Sequence, residues 1–530
     1  MGNSPSTEDK FQTLTVTREK LHQTFRRLAK ERTPSVDLLT ISRGIFGEVR
    51  GLDETVSLEH LKDKTGVNDD NIWKLYKSLS KWPCLRDLNQ EDYNYFTLGE
   101  IVILTFLLNG GFRKLGLDGN YFTKLVFILA AHVKGENKCQ AEKQSMEIEQ
   151  ADDTKNEEVE VIVQDGVIKW ELLPIVQSFD QVEAGIMDRH TLEELIKACL
   201  SMSVMRYIDN AFDIDYKHQI SSLVHTIYSE GLTLQKFENN VVDFTPNLLI
   251  PLTNLFGKLL LPDDPSLHTN GKNLSIPLLA QLSTVTNIEK MLKSKALYQG
   301  SRDGFSINSI LTHTSNYNAE TVLLITGKIA DKGKGLFYKY FPRFHPVVEA
   351  EPVVGKRFQM AIILNAPWRV SNTKNFCDDL TVVQLSPRQM TLKSKEACFY
   401  FSNIGLGLGV GSPPPLKSKH GGKITFRLRG ISLTIDNSLE VGNWRVEDVS
   451  DSMFGSTSGA PSIYGDWWFK IREVEVLGLG DNETFSEQKR RLEWEEKEAE
   501  RRQGLNDYKE GRALLELAGI VGQGGSGGSV

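Results

Sequence analysis

The chain has 530 residues, 40% of them hydrophobic and 25% charged, a composition that excludes wholesale disorder. At about 150 residues per domain, three or four domains are expected. The 62 Lys and Arg against 69 Asp and Glu leave a net charge of −7, which argues against general nucleic-acid binding, since that rests on neutralising phosphates. Cys84, Cys139, Cys199, Cys377 and Cys398 are scattered without a C-x-x-C pair, as reduced intracellular thiols are.

Residues 1–14 open with Met1-Gly2-Asn3-Ser4-Pro5-Ser6, which fits the N-myristoylation pattern M-G-x-x-x-[ST]. Acylation needs the free amine of an unbranched Gly2, followed by small residues. One myristoyl chain binds a membrane only marginally, so a second contact is expected. Arg26, Arg27, Lys30 and Arg32 or a membrane-bound partner would supply it, although those residues also suit a solvated helix face.

Residues 15–265 have helical periodicity, as in Leu21, Phe25 and Leu28 and in Leu192, Leu195, Ile196 and Leu200. Connectors near Ser57-Leu58-Glu59 and Asp188–Glu193 enter amphipathic helices in an EF-hand-like plan. Neither Gly51-Leu52-Asp53-Glu54 nor Asp213-Ile214-Asp215-Tyr216 offers alternating oxygen ligands with a central glycine, so no metal is expected. Within this region 135–160 is rich in acid. From Ala141 to Glu160 eight acidic residues face Lys143 and Lys155, and the expectation is a disordered insertion.

A turn-rich cluster from Leu261 to Gly271 marks a boundary. Beyond it, Thr321–Ile325, Met360–Leu364, Leu380–Leu385, Ala397–Phe401, Lys423–Leu428, Ser432–Ile435 and Phe469–Leu477 are short β-rich runs punctuated by glycine and proline, as in a β-sandwich. Residues 486–521 turn helical again. Glu487–Arg502 carries six acidic and six basic residues, with acid-first pairs Glu487–Arg491, Glu493–Lys497 and Glu498–Arg502. Gly504 is expected to end this helix, and an apolar segment with Leu514, Leu515, Leu517 and Ile520 follows. Residues 522–530 are rich in glycine and serine and read as a flexible tail. The fold class is therefore α+β: an all-helical EF-hand-like region, a β-sandwich and a C-terminal helical tail.

The block Leu297-Tyr298-Gln299-Gly300-Ser301-Arg302-Asp303-Gly304-Phe305-Ser306 resembles the opening motif of the TLDc domain family. The similarity runs through Thr321–Gly327, Trp368, Leu385-Ser386-Pro387, Phe399–Phe401, the glycines Gly405, Gly407 and Gly409, Leu433–Asp436 and finally Val474–Gly480. It covers 275–480, with two departures. Leu477 replaces a customary Trp, and Lys328–Lys356 looks inserted. With the acylation motif, the helical half and the charged tail, the chain resembles the fungal restriction-of-telomere-capping group and its animal lysosomal, TOR-associated relatives.

That resemblance implies a non-enzymatic regulator, monomeric when free, that binds subunits of the vacuolar proton-pumping ATPase. It would be cytoplasmic and peripheral on the vacuolar or lysosomal membrane, modulating pump assembly with disassembly favoured over assembly. No cofactor is implied beyond covalent myristate on Gly2, and no nucleic acid is bound. The alternatives are an oxidative-stress protection factor with an unrecognised enzymatic activity, or a TOR-signalling adaptor. Candidate partner-binding residues are Glu487, Arg491, Leu492, Trp494, Lys497, Leu514, Leu515 and Leu517.

Among candidate motif residues, Ser301, Arg302, Asp303, Gly304 and Phe305 suit a turn in which Asp303 caps backbone N–H groups or pairs Arg302. Only His313 is near enough in sequence to support acid–base chemistry, and no nucleophile stands beside them. No catalytic residue is assigned. The alternation of Gly407 and Gly409 with apolar residues suits close strand packing better than a phosphate loop. Asp436 and Gly478 complete the set. Of Trp467 and Trp468, one is expected in the core and the other partly exposed.

Overall fold

The computed structural model describes residues 11–517 except 86–92, 134–157, 178–184, 209, 254, 256–273, 331–354, 419–423, 448–449 and 456–464. Gly2, most of the acidic insertion and the glycine-rich tail therefore lie outside the described residues. The fold is α+β, with helices gathered in the first half and one large antiparallel sheet in the second.

The first half is not all-helical. Strand β1 (Gln12–Thr17) pairs antiparallel with β4 (Glu158–Gln164), and β4 with β5 (Val167–Ile168). The acid-rich stretch thus ends in a strand, because Val159, Val161 and Val163 alternate with Glu158, Glu160 and Ile162 and bury one face.

Helices α1 (Arg18–Arg32) and α2 (Ser35–Phe46) lead to β2 (Thr55–Ser57) and α3 (Leu58–Thr65). Helix α4 (Asp70–Ser80) leads to β3 (Tyr95–Thr97) and α5 (Leu98–Phe106). Strands β2 and β3 pair antiparallel, so two helix–connector–helix units are joined through their connectors. A second such pair follows α6 (Tyr121–Val133). Here α7 (Arg189–Val204), α8 (Lys217–Ile227) and α9 (Leu234–Phe244) are linked by a bridge between Met187 and Leu232.

Side-chain caps start several of these helices. Ser57 Oγ accepts the His60 N–H, Asp188 accepts that of Thr191, and Thr97 forms a capping box with Glu100. The first connector carries its own ion pairs. Its carboxylates already face arginines, with Asp53 2.8 Å from Arg26 and Glu48 and Glu54 both on Arg50. Among the described residues no cluster of His, Cys, Asp and Glu could hold a metal.

Helices α10 (Ile276–Ser283) and α11 (Ile288–Leu292) lead into a ten-stranded antiparallel sheet. Its path is β10 (Met390–Lys393), β9 (Leu380–Ser386), β8 (Arg357–Leu364), β7 (Thr321–Ala330), β17 (Gly465–Gly478), β16 (Val441–Val446), β15 (Ile431–Ile435), β12 (Gly407–Val410) and β11 (Phe399–Ser402), while β13 (Leu416–Lys417) and β14 (Ile424–Thr425) pair by themselves. Strand β6 (Lys295–Gln299) pairs with the far end of β17. The expected sandwich is therefore a single sheet whose two wings share β17, a strand of 14 residues. They meet across an apolar core, where Trp444 on β16 donates to the Gln384 side chain on β9 at 2.7 Å.

Strand alternation also ties the halves together. Leu323, Ile325, Met360, Ile362 and Val382 enter that inner core, while Val322, Leu324, Ala361, Ile363 and Val383 join the core of the helical half. Hydrogen bonds close the seam, from Ser222 Oγ and Gln281 Nε2 to the Leu385 carbonyl at 2.5 and 2.8 Å and from Thr391 Oγ1 to the Phe244 carbonyl at 2.7 Å.

Both Trp467 and Trp468 are buried, correcting the expected split. They do point to opposite faces, but Phe426, with Ile424 and Leu428 beside it, covers Trp468 on the outer face.

Candidate interaction site: the opening motif and the C-terminal helix

The motif leaves β6 as one helical turn, Gly300–Asp303, reversed by Gly304 at φ +88°. Asp303 holds the turn together. Its carboxylate accepts the Gln299 backbone N–H at 2.8 Å and takes a fork from Arg302, Nε and Nη2 both at 2.7 Å. Burial pushes the Asp303 carboxyl up, but the Arg302 fork and the Gln299 N–H outweigh it and hold the group below its usual range. The Ser301 N–H meets Glu473 Oε1 at 3.0 Å, and Tyr298 donates to the Gly304 carbonyl at 2.8 Å. Phe305 is exposed, at 39% of its surface. His313 Nε2 stands 3.9 Å from Asp303, and its Nδ1 is engaged with the Ser309 carbonyl at 2.8 Å. The carboxylate is thus committed to structure.

Helix α12 (Ile307–Thr314) carries this order onward to the tail. Ser309 Oγ donates to the Asp303 carbonyl at 2.7 Å, and the His313 carbonyl accepts Gln488 Nε2 at 2.7 Å. Arg491 Nη2 reaches Ser315 Oγ at 3.3 Å, and Phe485 packs on Tyr317 with ring centroids 5.5 Å apart. Tyr317 OH also accepts the Gly480 N–H at 2.7 Å, and a Cβ on Gly478 would stand 2.5 Å from that oxygen. Gly478 therefore lets Tyr317 seat the helix.

The tail is one helix, α13 (Asn482–Leu517), of 36 residues, started by Asp481, which accepts the Thr484 N–H at 2.8 Å. Gly504 does not end it. Of the expected pairs only Glu498–Arg502 forms, at 3.3 Å. Arg491 instead pairs with Glu495 at 3.4 Å, and Glu493 with Lys489 at 3.9 Å, because Arg491 is drawn to Ser315 at the root. Beyond that root most of its described side chains are solvated. Glu487 and Lys497 are exposed and Leu492 is half-buried. Trp494 is 64% exposed, Tyr508 69% and Leu517 90%, with Leu514 and Leu515 also open. Trp494, Tyr508 and Leu515, spaced by fourteen and seven residues, fall on one helix face. Tyr508 was not among the expected contacts, although its helical spacing from Trp494 was there to be read.

The glycine-rich strand is packing. A Cβ on Gly409 would meet the Tyr400 ring at 2.5 Å, and one on Gly407 would collide with the Ile435 carbonyl. Asp436 caps the β15–β16 turn, accepting the Glu440 and Val441 N–H groups at 2.9 and 3.1 Å.

A family model described as the TLDc domain matches residues 267–480. A restriction of telomere capping protein 5 from Lachancea thermotolerans is 34% identical over 402 residues, covering 67% of this chain and 72% of that protein.

The chain belongs to the TLDc family, in its restriction-of-telomere-capping branch.

Its namesake from Vanderwaltozyma polyspora is 29% identical over 533 residues, covering 90% of this chain and 89% of its own length, so that similarity extends well beyond the TLDc domain. In Saccharomyces cerevisiae the corresponding protein is 31% identical over 338 residues. For this TLDc chain no described helix is long and apolar enough to cross a membrane. The described thiols Cys84, Cys199, Cys377 and Cys398 are all buried; burial pushes Cys377 up to about 11 and Cys398 up to about 12. Cys139 lies outside the described residues. A cleft of about 520 Å³ opens between the end of α7 and the α10–α11 turn, lined in part by Met205, Arg206, Ile250, Asn287 and Glu289.

Proposed function

We propose that this TLDc protein is a non-enzymatic, membrane-tethered regulator that binds the vacuolar proton-pumping ATPase and favours its disassembly. The observation that supports the reading is helix α13. At about 1.5 Å per residue it is about 54 Å long, enough to reach between subunits of a large complex. Its solvated length presents Trp494, Tyr508 and Leu515 on one face, and aromatic side chains open to water in this way are anchors for a partner's pocket. A helix of mixed charge around those anchors stays soluble until a partner covers them.

Regulation then follows from unequal grip. If α13 and the TLDc surface hold the separated pump sectors more tightly than the assembled pump, binding shifts the population toward disassembly. An acyl chain on Gly2 would keep the protein at the membrane where that equilibrium is set.

The test is co-purification of pump subunits with the full chain and with a chain lacking residues 493–530. The truncation should melt like the parent, since the root residues Phe485, Gln488 and Arg491 remain, yet lose the subunits. Pump subunits recovered equally by both chains would overturn the proposal. Intact mass of the N-terminal peptide from a native host tests the acyl chain separately.

A further inference from the structure

Half-buried arginines in this protein are normally paired. Arg26, Arg206 and Arg491 each have a carboxylate nearby, at 2.8, 3.8 and 3.4 Å. Arg388 differs from these three. It is half-buried in the β9–β10 turn, its Nε is shielded from solvent and meets no hydrogen-bond partner, and among the described residues it forms no ion pair.

The turn is wedged between two elements that add positive charge. On one side is α8, where Ser222 accepts the Gln389 N–H at 3.3 Å through its carbonyl and Thr226 Oγ1 donates to the Gln389 carbonyl at 2.5 Å. That clamp sets the exposed His225 beside Arg388. On the other side is the start of β8, where Ser386 Oγ donates to the Arg357 carbonyl at 3.1 Å and Gln359 is in register with Ser386. Lys356 and Arg357 are exposed there, and neither forms an ion pair among the described residues. Arg189, at the start of α7, adds a further cation, partly neutralised by Glu193 at 2.8 Å.

The electrostatics agree with this geometry. Burial lowers Arg388 to about 10 and also lowers Arg357, and neither is restored by an acidic neighbour. His225 is lowered first by burial and then by the charges of Arg189, Arg388 and Lys356. In a chain of net charge −7, a corner where cations converge from three elements with one carboxylate between them among the described residues leaves the half-buried Arg388 uncompensated unless something fills it.

We propose that Arg388, Lys356, Arg357 and His225 form a binding site for a phosphate-bearing polyanion, at the seam where α8 meets the sheet. The Arg388 guanidinium offers its Nη groups to phosphate oxygens, and the exposed lysine and arginine supply charge around it. Two sources share this chemistry, a phosphorylated lipid headgroup and a soluble polyphosphate. The site is independent of α13 and of any acyl chain on Gly2.

The experiment uses the full, unacylated chain. Inositol hexakisphosphate is titrated calorimetrically, and the chain is sedimented with phosphatidylcholine vesicles containing either a phosphatidylinositol bisphosphate or phosphatidylserine at equal charge. Saturable binding of the soluble probe is expected, weakened at least about tenfold by Arg388→Gln, as for one charge-assisted contact. The doubly substituted Lys356→Gln, Arg357→Gln chain should bind comparably weakly, and neither variant should melt below the parent. Sedimentation with bisphosphate vesicles but not phosphatidylserine assigns the lipid source; soluble binding without sedimentation assigns a free phosphate. Absence of saturable binding, equal binding by the variants, or equal sedimentation with phosphatidylserine would overturn the proposal.

Discussion

Asp303 offers the sharpest test of whether the opening motif is architecture or chemistry. Replacing it with Asn preserves shape but removes the charge that receives both the Arg302 fork and the Gln299 N–H. The Arg302 side chain is 52% exposed, so that pair is screened and contributes about 0.5–1 kcal/mol. The Asp303 side chain is only 10% exposed, and its bond to the backbone N–H adds about 1.5–2 kcal/mol. The loss should total about 2–3 kcal/mol, or about 4–12 °C in melting temperature for a unit of this size. Because the folded-state carboxyl is held below its unfolded value, its contribution is present above the unfolded pKa and is lost as pH falls through the folded one. The gap between parent and Asp303→Asn should therefore be full at neutral pH and shrink below about pH 4. Differential scanning fluorimetry across that range measures it. A variant that melts with the parent at neutral pH would refute the structural assignment.

Gly409→Ala should cost about 1–3 kcal/mol, since its Cβ would press on the Tyr400 ring, and Tyr400→Leu in the same chain should recover most of the loss in chemical denaturation. Cys84, Cys199, Cys377 and Cys398 should resist a thiol-specific disulfide reagent in a Cys139→Ser chain until it unfolds; rapid labelling of the native chain would show that burial does not protect them.

Much of this architecture is legible in the residues, and the gaps have physical causes. Strands β7, β8 and β9 are legible as near-continuous apolar runs, because alternation sends their side chains into two buried faces. The same period of two is present in Thr13-Leu14-Thr15-Val16 and in Glu158–Gln164, but one run abuts a helix and the other an acidic block, so neighbouring composition masks both. The helical connectors near Ser57 and Asp188 are visible from their caps, whereas their partners, Tyr95–Thr97 and Leu232, lie 38 to 45 residues along the chain and are set by tertiary pairing. Gly504 misleads because one glycine costs a helix only about 1 kcal/mol, which a run so rich in Glu, Lys, Arg and Leu absorbs. Trp468 is covered by residues some forty positions earlier, and no local pattern announces that. The basic corner is harder still, because Arg189, His225, Lys356 and Arg388 meet only once the sheet and α8 have docked.

The motif and the helix form one mechanical unit, and that gives the fold its consequence for binding. Asp303 fixes the turn, Ser309 ties the turn to α12, and the His313 and Ser315 positions grip Gln488 and Arg491 at the base of α13. A solvated helix of 36 residues on a slack joint would lose much of its freedom on meeting a partner, and that entropy would come out of the affinity. Anchored at its first three turns, it pays this cost largely on folding. The glycines at 478 and 480 support the same joint, since their missing side chains admit the Tyr317 hydroxyl against the backbone and leave its ring for Phe485. On the proposed function, substitutions at the motif should thus weaken partner binding through the angle and stiffness of α13, without any residue of the motif touching the partner.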